Sequence, residues 1–204
     1  MVNQFKSVLL IVDVQNDFCP GGALAVPNGN KVIEPLNNML AYIRNVDRWS
    51  STLKWVKFAS RDWHPRQTKH FAEFGGQWPI HCVQNTPGAE FHSQLSIGID
   101  IFIISKGTKP DEDGYSPFQG TVREVSFEQF LDLFNVRGVY IGGLATDYCV
   151  KAAAMDAVKK GFKTYLLTDA CRAVNIKLGD EALALNEMAN AGVEFITTED
   201  VIYG

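Results

Sequence analysis

The 204-residue chain has no apolar run approaching the ~20 residues of a membrane span, which excludes a helical membrane protein on pattern alone. Its N-terminal stretch MVNQFKSVLLIVDVQ lacks a signal-peptide layout, because the apolar run closes on Asp13 rather than on small residues. There is no excess of positive charge. With 19 Lys and Arg against 23 Asp and Glu, the formal net charge of -4 argues against a general nucleic-acid or anionic-membrane binder, which needs a concentrated basic surface. The four cysteines, Cys19, Cys82, Cys149 and Cys171, form no CxxC pair, so zinc-ribbon and thioredoxin-like readings have no support. No GxGxxG follows the first apolar run, which removes the fingerprint of a dinucleotide-binding oxidoreductase. Fixed-period repeats, low-complexity tracts and linkers are also missing. The expectation is one domain over residues 1–204, cytoplasmic, with its thiols free.

What is present is alternation. Six short, nearly continuous apolar runs, SVLLIVDV (7–14), WVKFAS (55–60), DIFIISK (100–106), RGVYIGG (137–143), KTYLLTDA (163–170) and VEFIT (193–197), read as strands buried on both faces. Helical stripes separate them: Val32, Ile33, Leu36, Leu40 and Ile43; Phe127, Phe130, Leu131 and Phe134; then roughly 147–160 and 179–191, closed by Gly161 and Gly192 in positions suited to a left-handed cap. The pattern predicts a three-layer α/β domain, a mostly parallel six-stranded sheet with helices on both faces. In such sheets ligands bind beyond the carboxyl ends of the strands.

The residues at those ends are unusual. Asp13 closes a strongly apolar strand, where a carboxylate needs a partner, a purpose or a backbone group to cap. Lys106 closes the third strand, either snorkelling to solvent or paired with an acid such as Asp13. Two glycines lead from the fourth strand through LATDYC into a helix, and Thr146 or Asp147 could cap it. Cys149 would then lie in a first turn whose N–H groups stabilise a thiolate or an oxyanion. An Asp, a Lys and a Cys at separate strand ends of one sheet suggest nucleophilic catalysis, although each alone has a packing or surface explanation. After the second strand, RDWHPRQTKHF sets Asp62 and His64 two apart, on one face of extended backbone, and three of the four histidines, His64, His70 and His81, fall within 18 residues. They are either metal ligands of the Zn²⁺, Fe²⁺ or Mn²⁺ type or scattered surface imidazoles.

Taken in order, DVQNDF (13–18), DWHP (62–65), GGQWPIHCVQNTPGAE (75–90), KGTKPDEDGYSPF (106–118) and GLATDYCV (143–150) resemble the nicotinamidase/pyrazinamidase branch of the isochorismatase-like cysteine hydrolases, from about residue 7 to 200. The resemblance implies hydrolysis of nicotinamide to nicotinate and ammonia, with pyrazinamide as a further substrate. It implies a catalytic triad of Asp13, Lys106 and Cys149, and one divalent metal ion, foremost zinc, on Asp62, His64 and His81. His70 matches an extra ligand of one bacterial subgroup. It further implies a ring pocket between Phe18 and Trp78 and a cis peptide at Leu144-Ala145 that turns the N–H groups of Ala145 and Cys149 into an oxyanion hole. Relatives acting on carbamoyl or ureido substrates generally lack the DWHP-to-His81 metal loop, and isochorismate cleavage needs no cysteine. A non-catalytic metal or thiol store would leave Asp13, Lys106 and Cys149 without a shared purpose. The implied partner is thus a small molecule rather than nucleic acid or membrane, and the Phe and Trp content leaves room for a homo-oligomer interface.

Overall fold

A computed structural model describes residues 6–49 and 54–204. The six apolar runs form β1 (Lys6–Val12), β2 (Trp55–Asp62), β3 (Phe102–Lys106), β6 (Val136–Leu144), β7 (Lys163–Arg172) and β8 (Glu194–Ile196). Two further strands, β4 (Thr121–Val122) and β5 (Val125–Ser126), extend the sheet to eight, in the order β5-β4-β3-β2-β1-β6-β7-β8. The predicted six is therefore corrected to eight. The additions escape a pattern search because they are two residues long. Their turn, Arg123-Glu124, carries two positive φ angles (47° and 72°) without the Asn-Gly or Asp-Gly usual for such a turn. The hairpin is antiparallel within itself and to β3, and the other pairings in the sheet are parallel.

Alternation along β1 builds the two sides of the core. Leu9 and Ile11 face one apolar cluster with Leu36, Met39, Leu40 and Ile43 of α1 (Ile33–Arg48), where α5 (Thr198–Tyr203) also packs. Val8, Leu10 and Val12 face the other, with Phe127 and Leu131 of α2 (Phe127–Leu133), Ala153 and Ala154 of α3 (Lys151–Lys159) and Met188 of α4 (Asp180–Ala191). Two-sided burial explains why the central strands read as continuous apolar runs, whereas β8, at the sheet edge, leaves Glu194 and Phe195 exposed and is not the doubly buried strand its pattern predicts. Gly161 and Gly192 follow α3 and α4 with φ of 85° and 99°, the expected left-handed geometry. No helix among the described residues is long and apolar enough to cross a membrane.

The chain builds outward from β1 through β2 and β3, then returns to the other side of β1 with β6. The crevice between β1 and β6 is thus the switch point at which such sheets bind ligands. Gly143, at the end of β6, has φ of 130° and sits so close to β1 that an added Cβ would lie 2.1 Å from the Val12 carbonyl oxygen. Gly143→Ala is expected to lower stability by about 2 kcal/mol or more through combined overpacking and backbone strain, measured by urea unfolding at constant m-value.

Candidate active site

Three strand ends deliver their polar residues to one point. Lys106, the last residue of β3, is 1% exposed, and its Nζ lies 2.8 Å from Asp13 Oδ2, in short contact with Asp62 Oδ1 and 3.5 Å from Cys149 Sγ. Asp13 follows β1 in a left-handed conformation (φ 50°), and Ser60 Oγ donates to its Oδ1 at 2.7 Å. Burial pushes the Asp13 carboxyl up to about 6 despite Lys106, and Asp62 nearby adds to the rise. Burial acts on Asp62 in the same sense, but Lys106, His64 and His81 outweigh it and hold that carboxyl well below the usual range. Lys106 is desolvated too, yet its acidic neighbours keep its ammonium protonated well above the ordinary lysine range. The Cys149 thiol, hydrogen-bonded with Asp13, is raised well above 9 by burial and by the two carboxylates, with Lys106 opposing. The resting sulfur is therefore a thiol beside a carboxylate rather than a thiolate held by helix N–H groups.

Cys149 does not occupy the first turn of an ordinary α-helix. It lies in a single π-helical turn, Thr146–Val150, closed by Val150 N–H donating to Ala145 O at 3.1 Å, immediately before α3. Neither Thr146 nor Asp147 caps it. The Asp147 carboxylate instead accepts from Val174 N and Asn175 N at 2.9 and 2.8 Å, tying the turn to the loop after β7. The Leu144-Ala145 peptide is cis.

Beside this cluster stand the histidines. One ring nitrogen each from His64, His70 and His81 lies within 4.8 Å of the others, and all three side chains are buried. His64 Nδ1 faces Gly107 O at 3.1 Å, His81 Nδ1 faces Pro79 O at 2.7 Å and His70 Nδ1 faces Asp113 Oδ1 at 3.4 Å. These acceptors place the proton on Nδ1 and leave each Nε2 lone pair available, the usual arrangement behind metal-bound imidazoles. His64 Nε2 is buried with no hydrogen-bond partner, and the Nε2 atoms of His64 and His81 lie 3.6 and 3.9 Å from Asp62 Oδ2. Burial lowers the His81 pKa to about 4 and lowers that of His70, keeping both imidazoles neutral. Three imidazoles and a carboxylate fit a divalent metal ion, and an orphaned buried Nε2 is what such an ion would satisfy.

A cavity with about 390 Å³ of empty volume opens over both clusters, walled by Phe18, Trp78, Leu24, Val26, Tyr115, Tyr148 and Val174, with Asp62, His70, His81, Ala145 and Cys149 at its polar end. The chain folded into these shapes matches the isochorismatase domain over residues 7–200. The chain belongs to the isochorismatase family. This isochorismatase-family protein is similar to the nicotinamidase of Escherichia coli, at 37% identity over 94% of this chain and 95% of that one. It is similar to the pyrazinamidase of Pyrococcus horikoshii, solved in complex with zinc, at 45% identity and a TM-score of 0.82 over 94% and 99% of the two chains. A protein of L. infantum solved in complex with nicotinate aligns at 34% identity and a TM-score of 0.77 over 96% and 94%.

Within this isochorismatase domain the structure brings together Asp13, Lys106 and Cys149 in one cluster, Asp62, His64, His70 and His81 in the adjoining one, and Phe18, Trp78 and Ala145 in the cavity wall. Several participants carried no signal of their own in the sequence. Tyr115 OH accepts from Trp78 Nε1 at 2.9 Å, and Tyr148 packs edge-on against the Trp78 ring at 4.9 Å. Tyr115 lies inside a motif recognised only as a block, and Tyr148 is the neighbour of Cys149. Asp17 accepts from Cys82 N at 2.7 Å and so anchors the loop bearing His81 to the end of β1. Gly107 allows another close approach, since a Cβ there would fall 2.4 Å from the His64 ring. Gly107→Ala must displace that ring and is expected to weaken binding of a divalent cation about tenfold or more, measured by chelator competition with zinc as the probe.

Proposed function

We infer that the protein is a nicotinamidase, hydrolysing nicotinamide to nicotinate and ammonia through a Cys149 thioester, with pyrazinamide as a second substrate. The observation that carries the mechanism is the convergence of Asp13, Lys106 and Cys149 at the floor of an aromatic cavity whose other polar wall is a histidine cluster. The flat pyridine ring lies between Phe18 and Trp78, which presents the carboxamide carbon to the sulfur. Asp62, His64 and His81, with His70, would hold a divalent metal, foremost zinc, and when bound it would supply Lewis-acid polarisation at the polar end of the cavity.

Asp13 takes the Cys149 proton as sulfur attacks, and Lys106 keeps the exchanging charge compensated. The carbonyl oxygen becomes an oxyanion held by the N–H groups of Ala145 and Cys149. Asp13 returns the proton to nitrogen as the C–N bond breaks and ammonia leaves. Water, deprotonated by the same carboxylate, then cleaves the thioester to nicotinate and restores the thiol. The four cysteines are buried and unpaired, which suits a reducing compartment, and we place the enzyme in the cytoplasm in NAD salvage.

The deciding measurement is ammonia release from nicotinamide by the purified, zinc-loaded protein. Cys149→Ala is expected to lose at least about 10³-fold in kcat, while chelation abolishes turnover until zinc is restored. No ammonia from the zinc-loaded wild type overturns the reading. Because Asp13 must be ionised to act and its carboxyl is raised to about 6, kcat/KM should rise with pH through an acid limb near pH 6 and flatten above it. A limb at pH 4 would remove Asp13 from the role of base.

A further inference from the structure

Gln15 is fully buried, contributes no atom to the cavity wall and has no part in the chemistry above. Its surroundings follow from where β1 ends. The backbone of β1 runs beside β2 as far as the bond from Asp13 N–H to Ser60 O, at 3.1 Å, and then turns away at the left-handed Asp13. β2 continues to Asp62. In a parallel strand the N–H and C=O of one residue point to the same side, and those of Asp62 point, like those of Ser60 two residues earlier, toward the place β1 has vacated. The Gln15 carboxamide fills that place. Its Oε1 accepts from Asp62 N at 2.8 Å, its Nε2 donates to Asp62 O at 2.8 Å, and the second Nε2 proton goes to Ala89 O at 2.9 Å. A side chain thus continues the ladder for one residue after the strand has left.

That residue is the one carboxylate shared by the two halves of the site. Asp62 Oδ1 contacts Lys106, and Oδ2 faces the Nε2 atoms of His64 and His81. The other edge of Asp62 is held by pairing with Lys106 on β3, so Gln15 supplies the constraint on the remaining side. The third bond, to Ala89, fastens the segment that follows the His81 loop to the same amide.

We propose that Gln15 is a positioning residue for the metal site: by clamping both backbone groups of Asp62 it fixes the Asp62 carboxylate against the histidine cluster, and it thereby sets the affinity for a divalent cation. The proposal rests on the metal reading of His64, His81 and Asp62 but not on the identity of the substrate.

The test measures zinc affinity of the purified full-length chain by chelator competition, beside thermal unfolding of the metal-free protein. Gln15→Met keeps the length and removes all three hydrogen bonds, and its zinc dissociation constant should rise about 10- to 100-fold, the range found for groups that orient metal ligands. Gln15→Glu keeps the acceptor for the Asp62 N–H and loses both donors. It should lie between wild type and Gln15→Met, and it decides the matter if Gln15→Met does not fold. Leu131→Ala, in the α2 packing layer, serves as a control for general destabilisation and should retain wild-type affinity. Unchanged affinity in the Gln15 variants, or an equal loss in Leu131→Ala at matched melting temperature, overturns the clamp. A wild type that binds no zinc overturns the metal reading beneath it. A wild type that binds zinc tightly but releases no ammonia leaves the clamp standing and overturns only the substrate.

Discussion

The arrangement of this molecule turns on one buried ammonium group. Lys106 has almost no contact with solvent, so its charge is tolerable only because Asp13 and Asp62 lie against it. Those two carboxylates are then committed to different tasks by their surroundings. Asp13 has one strong cationic neighbour and no imidazole, and burial lifts it toward neutrality; Asp62 has Lys106 and two histidines and stays ionised. Pairs of acids pushed apart in this way are the common means of running proton transfer near neutral pH. One ammonium and two carboxylates leave a single net negative charge next to three imidazoles, an electrostatic setting in which a divalent cation is welcome.

The fold delivers these groups because each stands at the end of a strand in one parallel sheet. Asp13 directly follows β1, Asp62 lies on β2, Lys106 on β3 and the Ala145–Cys149 turn after β6, so the four meet where the strand order reverses. Close approach is bought with glycine at two points, Gly143 against Val12 and Gly107 against His64. The long connection from β2 to β3 carries all three histidines, and it is held to the β1 end by Asp17 and Gln15, residues of the same short segment that supplies Asp13. Positions remote in sequence are thereby fixed by side chains a few residues from Asp13.

How much of this was legible beforehand varied with the kind of signal. The six parallel strands and the stripes of α1 and α2 are written as hydrophobic period, because burial on one or two faces forces that period on the residues. The β4–β5 hairpin was not legible: two-residue strands have no period, and Arg123-Glu124 gives no turn signature. The cap expected from Thr146 or Asp147 was misplaced for a similar reason. Asp147 is a competent cap by residue type, and only the proximity of the loop at Val174 and Asn175 diverts it.

The sequence by itself determined the class of fold, the absence of charge and apolar runs suited to nucleic acid or membrane, and the inventory of ionisable residues at strand ends, because all of these depend on residue type and spacing along the chain. Which ionisable groups share a site, which carboxyl is lifted and which is held down, and that Cys149 rests as a thiol, were decided only by tertiary structure. Those properties arise from desolvation and from charges a few ångströms apart, and the partners that supply them are separated by tens of residues in the chain.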